Sequence, residues 1–154
     1  MLVEFSRGSE KIPPMVLTKD GDDLRVDLQV QLMFRIFNSL WEMYGFEFKC
    51  GQLPYCVTYR VCPFSTTSGV IEVVPRCSSL YDHKWVTFDK HRTISSAIGA
   101  FVGGYMLGVR DRHKDNILFA LDSLELFHVD FGYIFNSQTK MFDAPRFAIP
   151  STFK

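Results

Sequence analysis

The sequence predicts an α+β fold, and three features of the chain support this prediction. Apolar residues recur at helical spacing in two separate segments, within 28–44 and within 94–105. Short apolar or β-branched runs lie before, between and after these segments, as expected for strands. Hydrophobic residues make up 47% of the 154-residue chain and aromatic residues 15%, which is enough to build one buried core.

The first part of the chain predicts a strand followed by a helix. Residues 15–18 form a short apolar run, and the acidic residues within 20–23 mark a turn before the positive N-terminal end of a helix. The helix is predicted to bury an apolar stripe and to end at Gly45. The stripe consists of Leu28, Leu32, Met33, Ile36, Phe37, Leu40, Met43 and Tyr44.

Two strand-like segments and a second helix follow. Residues 55–61 partly alternate between apolar and polar side chains, and 69–74 is a β-branched run that Pro75 ends. A polar passage over 76–92 separates these segments from the second helix. The uncharged stretch 93–109 is too short for a bilayer span and rich in Gly and Ser, so it predicts a buried helix. The apolar stripe of this helix consists of Ile94, Ala97, Ile98, Phe101 and Tyr105.

Polar residues gather at both ends of a predicted hairpin, whose strands are 117–120 and 125–129. Because a hairpin returns its ends to nearly the same place, Asn116 and Asp130 are predicted to lie side by side. Amide and carboxylate oxygens are suitable ligands for Mg²⁺. The four residues between Asp111 and Asn116 match the spacing of the base and the metal-binding Asn in a kinase catalytic loop. Asp-Phe-Gly, the motif that holds the metal in kinases, begins at Asp130. A solvated, salt-bridged turn is the alternative interpretation.

The composition limits the classes of partner. Lys and Arg together number 17, as do Asp and Glu, so the formal net charge is zero and nothing draws the whole chain toward nucleic acid. The four cysteines include no Cys-x-x-Cys pair, which argues against a zinc site and favours reduced thiols in a cytoplasmic protein. Charged residues near the start argue against a secretory leader.

Four segments occur in the order typical of one enzyme family. They read Lys-Asp-Gly-Asp-Asp-Leu-Arg at 19–25, Gly-Val-Ile-Glu-Val-Val at 69–74, Asp-Arg-His with a later Asn over 111–116, and Phe-His-Val-Asp-Phe-Gly-Tyr at 127–133. Together these segments resemble the catalytic domain of the phosphatidylinositol 3- and 4-kinases. The run Leu-Gly-Val at 107–109, shortly before Asp111, and Tyr133 after the Asp-Phe-Gly motif most resemble the class III phosphatidylinositol 3-kinases.

The resemblance implies a two-lobed, protein-kinase-like catalytic core over 1–154, with both lobes incomplete. Residues 1–74 would form a residual N-lobe with the hinge, and 75–154 would form the part of the C-lobe that carries the catalytic loop and activation segment. About fourteen residues precede the strand that contains Lys19, fewer than the further strands of the family require. The stretch between 74 and 108 is also shorter than the family pattern.

The resemblance implies ATP as a cofactor and assigns five residues to its site. Lys19 would contact the ATP phosphates and pair with an acid on the following helix, for which Asp27 fits best. Glu72, Val73 and Val74 would form the hinge, whose backbone hydrogen-bonds adenine.

The resemblance likewise implies Mg²⁺ and a set of catalytic residues. Asn116 and Asp130 would hold Mg²⁺ against the ATP phosphates. Asp111 and His113 would orient or deprotonate the attacking inositol hydroxyl, because a histidine with a pKa near neutrality suits proton transfer.

The segment 136–154 would contact the lipid headgroup, and Lys140 and Arg146 are among its few cations. Phosphorylated headgroups call for a basic cluster, so the expected substrate is unphosphorylated phosphatidylinositol at a membrane surface. The protein would then be cytoplasmic and peripheral at membranes, with a regulatory subunit or the remainder of a kinase as its partner. Two alternatives stay open: a Ser/Thr protein kinase of the phosphatidylinositol-3-kinase-like group, and a catalytically silent kinase-like module.

Overall fold

The computed structural model describes residues 2–4, 15–45, 52–79 and 89–137, which form the predicted α+β fold. The elements are β1 (Leu2–Glu4), β2 (Met15–Asp20), α1 (Arg25–Tyr44), β3 (Val61–Pro63), β4 (Ser68–Glu72), β5 (Cys77–Ser79), α2 (Lys90–Met106), a 3₁₀ turn (Lys114–Asn116), β6 (Ile117–Ala120) and β7 (Glu125–His128). Two antiparallel sheets result, with strand orders β1-β2-β4-β3 and β5-β6-β7.

The first sheet contains the strand that carries the predicted ATP-contacting lysine. Strand β2 lies between β1 and β4, and its Lys19 pairs with Gly69 of β4. Beyond the end of β4, the Val73 N–H still donates to the Met15 carbonyl at 2.9 Å. The chain therefore stays beside β2 until Pro75, which has no N–H to donate. Strand β1 was not predicted from the sequence.

Helix α1 forms where it was predicted but buries only part of the predicted stripe. It ends at Gly45, which adopts a left-handed conformation with φ 61° and donates its N–H to the Trp41 carbonyl. Its buried residues are Asp27, Val30, Gln31, Phe34 and Phe37. The exposed members of the predicted stripe are Leu32, Ile36, Leu40, Met43 and Tyr44. The predicted stripe was therefore only partly right: Phe37 is buried and Leu28 and Met33 pack against the core, but the helix buries the side that also carries Phe34, so the other stripe members face outward.

Helix α2 packs against the second sheet through small residues. The Asp89 carboxylate caps the helix by accepting from two N–H groups of the first turn. Its buried residues are Thr93, Ser95, Ser96, Ala97, Gly99, Ala100, Gly103 and Gly104. Tyr105, a member of the predicted stripe, is exposed, so that part of the prediction was wrong. Small residues bring the backbone close: a Cβ at Gly99 would lie 2.0 Å from the Tyr55 carbonyl oxygen. In the described ranges, no helix is long and apolar enough to span a membrane.

The predicted hairpin is confirmed as strands β6 and β7. The register pairs Ile117 with His128 and Ala120 with Glu125. Strand β5 pairs with β6 and extends the hairpin to three strands. The sequence did not predict β5, because it lies in the polar passage after Pro75.

The segment before β3 is not the strand predicted over 55–61. The Asn38 side chain donates to the Cys56 carbonyl at 2.8 Å and accepts from the Cys56 N–H at 2.7 Å. The Gln31 side chain likewise accepts from the Tyr59 N–H at 3.0 Å. Helix α1 thus supplies hydrogen bonds that a neighbouring strand would otherwise make, and the segment stays irregular.

Aromatic contacts connect α1 and the segment before β3 with the hairpin and the residues that follow it. The rings of Phe34 on α1 and Phe131 meet edge to face at a centroid distance of 5.6 Å. The rings of Tyr59 and Phe127 meet in a similar geometry at 6.3 Å. Phe131 is fully buried, so the Asp-Phe-Gly segment is fixed against α1.

Candidate active site

A cavity of about 660 Å³ lies between the two sheets. Its lining includes every residue predicted to bind ATP or metal, namely Lys19, Asp27, Glu72, Val73, Val74, Asn116 and Asp130. Apolar residues from both sheets also line it, among them Met15, Leu17, Ile71, Leu118, Phe127 and Val129. The fold therefore brings together residues that are more than 100 positions apart in the sequence.

The predicted hinge runs along this cavity with part of its backbone already bonded. The Glu72 N–H donates to the Arg60 carbonyl at 2.8 Å, and the Val73 N–H donates to Met15. The Val74 carbonyl accepts the thiol hydrogen of Cys77, with the sulfur 3.2 Å away. The N–H groups of Glu72 and Val73 are thus engaged inside the first sheet.

The predicted pairing of Lys19 with Asp27 was wrong. Lys19 Nζ lies 3.1 Å from a carboxylate oxygen of Asp22, which is in the turn after β2. Burial disfavours the charged amine, but the hydrogen bond to Asp22 and the charges of Asp130 and Asp27 together raise the pKa of Lys19. The lysine is therefore positively charged at neutral pH.

Asp27 instead binds the backbone of the Asp-Phe-Gly segment. One of its carboxylate oxygens accepts from the Phe131 N–H at 3.4 Å. Burial of Asp27, aided by the charge of Asp130, raises its pKa although the Phe131 hydrogen bond acts in the opposite direction. Asp27 thus holds the chain directly after Asp130.

The catalytic-loop residues form a compact hydrogen-bonded group. The Asn116 amide nitrogen donates to the Asp111 carbonyl at 2.8 Å and lies 3.2 Å from His113 Nε2. The same His113 nitrogen lies 3.8 Å from an Asp111 carboxylate oxygen. His113 and Asp111 therefore share one small region with Asn116.

Asn116 and Asp130 lie at adjoining ends of the hairpin. The Val129 N–H donates to the Asn116 carbonyl at 3.1 Å, which closes the hairpin, and both predicted metal ligands line the cavity. Asn116 is buried and Asp130 is exposed. Within the described ranges, no cluster of three or more His, Cys, Asp and Glu side chains could hold a metal ion. A pair of oxygen ligands still fits Mg²⁺, which usually keeps several waters and binds phosphate oxygens.

Two acidic residues of the candidate site have a left-handed backbone conformation. Asp111 and Asp130 both have φ 60°, a left-handed conformation that residues other than glycine rarely adopt. Such conformations are often found at functional sites, where surrounding contacts hold them in place.

Some residues of the site were missed from the sequence. Asp115 lines the cavity, and its carboxylate lies 3.6 Å from His113 Nδ1. Arg112 reaches across to the hairpin and donates to the Val129 carbonyl at 2.7 Å. Neither role has a local sequence signal beyond a position inside the motif. The predicted lipid-binding residues Lys140 and Arg146 lie outside the described residues.

Comparison with known proteins identifies relatives of the chain. Residues 82–152 match the family described as phosphatidylinositol 3- and 4-kinase. The chain is 26% identical to phosphatidylinositol 3-kinase age-1 of Caenorhabditis briggsae, over 82% of the chain and 15% of that protein. It is 28% identical to phosphatidylinositol 3-kinase 1 of Dictyostelium discoideum, over 92% of the chain and 10% of that protein. The chain thus spans at most about 15% of the length of these relatives.

Proposed function

We propose that the chain, which matches the phosphatidylinositol 3- and 4-kinase family over residues 82–152, forms the catalytic core of an ATP- and Mg²⁺-dependent lipid kinase. The observation that carries this proposal is one cavity lined by a lysine, an amide and a carboxylate: Lys19, Asn116 and Asp130. In this proposal, residues 1–74 and 75–154 belong to the two lobes of a kinase fold, with the cavity between them. The similarity to class III enzymes stays a prediction.

The cavity suits a nucleotide in size and lining. Small-molecule sites commonly measure about 300–1,000 Å³, and the apolar side chains of Leu17, Ile71 and Leu118 would enclose the adenine ring. The hinge N–H groups of Glu72 and Val73 are already engaged. Adenine would therefore bond to hinge carbonyl groups or to the Val74 N–H.

Lys19 would bind the ATP phosphates as a positive charge. Its present partner, Asp22, has a side chain that is 60% exposed, so the ion pair between them is a weak surface interaction. A phosphate oxygen could replace the Asp22 carboxylate at little cost. Asp130, whose negative charge acts on Lys19, would share the phosphates with the lysine through the bound cation.

Phosphoryl transfer would depend on position and charge. Bound Mg²⁺ would supply charge neutralisation at the phosphate oxygens, held by the Asn116 amide oxygen and the Asp130 carboxylate. The inositol hydroxyl oxygen would form a bond to the γ-phosphorus while the bond from this phosphorus to the β–γ bridging oxygen breaks, releasing ADP. The hydroxyl proton would pass to His113, which Asp111 orients.

We assign unphosphorylated phosphatidylinositol as the substrate. The relatives are named phosphatidylinositol 3-kinases, and the segment 136–154 lacks the basic cluster that extra headgroup phosphates would require. The enzyme would work as a cytoplasmic protein at the membrane surface. A regulatory subunit or the remainder of a longer kinase would be its protein partner.

The decisive experiment compares acceptors of phosphate. The complete protein is incubated with radiolabelled ATP and Mg²⁺ and with vesicles of phosphatidylinositol, of its mono- or bisphosphorylated forms, or with a Ser/Thr peptide. We expect the fastest transfer to plain phosphatidylinositol and none in the Asp130→Asn variant. Faster transfer to peptide would identify a protein kinase instead. Absence of both nucleotide binding and transfer would identify a silent kinase-like module.

A further inference from the structure

The guanidinium group of Arg112 binds a set of backbone carbonyl groups at the candidate site. Its Nε donates to the Arg110 carbonyl at 2.9 Å. One terminal nitrogen donates to the carbonyls of Val129 at 2.7 Å and Asn116 at 3.4 Å, and the other donates to the Asp130 carbonyl. One side chain therefore connects the catalytic loop to both ends of the hairpin.

These contacts lie beside the two strained residues of the site. The Arg110 carbonyl directly precedes Asp111, and the Val129 and Asp130 carbonyls flank the backbone of Asp130. Both aspartates have φ 60°, in the left-handed region that residues other than glycine rarely adopt. Arg112 is placed to hold both conformations through their adjoining carbonyl groups.

The position of Arg112 is itself well defined. Its guanidinium carbon lies 5.4 Å from the centroid of the Phe131 ring, a cation–π distance. Phe131 is fully buried and packs against Phe34 of α1. The guanidinium thus rests on a ring that the core fixes in place.

Arg112 is poorly placed to act as a ligand for phosphate. A guanidinium group has five N–H donors, and the four carbonyl contacts above engage all three of its nitrogen atoms. A lysine could not reproduce this arrangement, because its ammonium group is a point charge without a fixed planar set of donors.

We propose that Arg112 is a positioning residue that holds the Asn116 amide and the Asp130 carboxylate in the arrangement needed for the divalent cation. This inference rests on the proposed function, since it assumes that the cation accompanies a nucleotide in the cavity. Arg112 itself contacts neither the nucleotide nor the cation. It acts through the backbone of the two residues that do.

The test separates metal binding from nucleotide binding in the complete protein. Arg112→Lys and Arg112→Met are compared with wild type and with Arg35→Met, a matched change of an exposed arginine on α1. The measured quantities are the Mg²⁺ concentration that half-saturates binding of a non-hydrolysable ATP analogue, and the affinity for that analogue in EDTA. We expect both Arg112 variants to need at least about tenfold more Mg²⁺, with a less than twofold change in EDTA. Equal Mg²⁺ requirements in Arg112→Met and wild type would overturn the proposal.

Hydrogen exchange supplies a readout that does not depend on nucleotide. The Val129 N–H donates to Asn116 and the Phe131 N–H donates to Asp27, so both amides report the geometry around Asp130. In the Arg112 variants we expect these amides to exchange at least about tenfold faster, while amides of β4 keep their wild-type rates. A wild-type protein that binds no nucleotide would contradict the proposed function, whereas unchanged exchange in Arg112→Met would contradict the role of Arg112. Uniformly faster exchange, including β4, would indicate a general structural role and also overturn it.

Discussion

Cys77 shows how a half-buried thiol can lie in a cavity without being reactive. The residue lines the cavity between the sheets, and its thiol donates to the Val74 carbonyl. Burial, together with the negative charge of Asp122, raises the pKa of Cys77 to about 11. The reactive thiolate is therefore scarce at neutral pH.

The alkylation rate of Cys77 should follow the ionisation of its thiol. Because the thiolate is the nucleophile, the rate at Cys77 should rise about tenfold per pH unit from pH 7 toward pH 10. The fraction of Cys77 modified by iodoacetamide is measured by peptide mass spectrometry, with exposed Cys62 as the internal control. We expect Cys62 to be modified far more quickly at pH 7.5. Equal rates at the two residues at that pH would contradict the raised pKa of the half-buried Cys77.

The two faces of α1 differ in what they contribute to stability. Phe34 is 2% exposed and contacts the ring of Phe131, whereas Ile36 is 49% exposed. Both are large apolar residues on the same helix. Their unlike environments allow a matched comparison within one element.

Truncation of the two residues should have unequal effects on the free energy of unfolding. We expect Phe34→Ala to lower it by about 3–5 kcal/mol, because a buried ring leaves a cavity. Ile36→Ala should lower it by less than about 1 kcal/mol, because the Ile36 side chain is exposed to water in the folded protein. Urea denaturation measures both values. Similar losses in the two variants would contradict the unequal burial of Phe34 and Ile36.

The contact between α2 and the segment at Tyr55 gives a second prediction about a helix. Gly99→Ala should destabilise the protein by about 3 kcal/mol or more, since its Cβ would overlap the Tyr55 carbonyl group. Gly104→Ala is the control, because the nearest atom to its Cβ, His128 Nδ1, would be 3.4 Å away. At Gly104 the higher helix propensity of alanine should offset most of the destabilisation that this contact causes. Thermal denaturation of both variants provides the comparison, and equal midpoints would refute the close packing at Gly99.

Local sequence patterns predicted which helices and strands form better than they predicted what those elements pack against. Gly45 and helical spacing were enough to predict α1 and its end. The buried face was not predictable, because both sides of α1 carry apolar residues and only tertiary packing selects one of them. The segment over 55–61 failed as a strand for a related reason: Asn38 and Gln31 on a distant helix bind its backbone.

The whole molecule should respond to a nucleotide as one cooperative unit, because the cavity is lined from both sheets and α1. A non-hydrolysable ATP analogue with Mg²⁺, at about one hundred times its dissociation constant, should stabilise the complete protein by about 2.7 kcal/mol. The Lys19→Met variant should lose most of this gain, and Arg35→Met should retain it. Thermal denaturation with and without the analogue provides the measurement. An undiminished gain in Lys19→Met would remove Lys19 from the phosphate site.

The candidate site could be predicted only where the motif determines short-range geometry. The hairpin predicted that Asn116 and Asp130 lie close together, and both line one cavity. The partner of Lys19 was mispredicted, because Asp22 is three residues away and competes with the more distant Asp27. The contacts of Arg112 were missed since their acceptors are backbone carbonyls, which every residue type possesses.

The left-handed backbone at Asp130 also determines how an inactive reference protein should be made. Asparagine tolerates this conformation better than alanine does, so Asp130→Asn removes the negative charge and leaves the main chain undisturbed. Asp130→Ala would combine the loss of charge with a conformational penalty that spreads into the adjoining loop. A knockout built with alanine at this position would therefore mix a chemical defect with a folding defect, and the asparagine form is the cleaner comparison in cells.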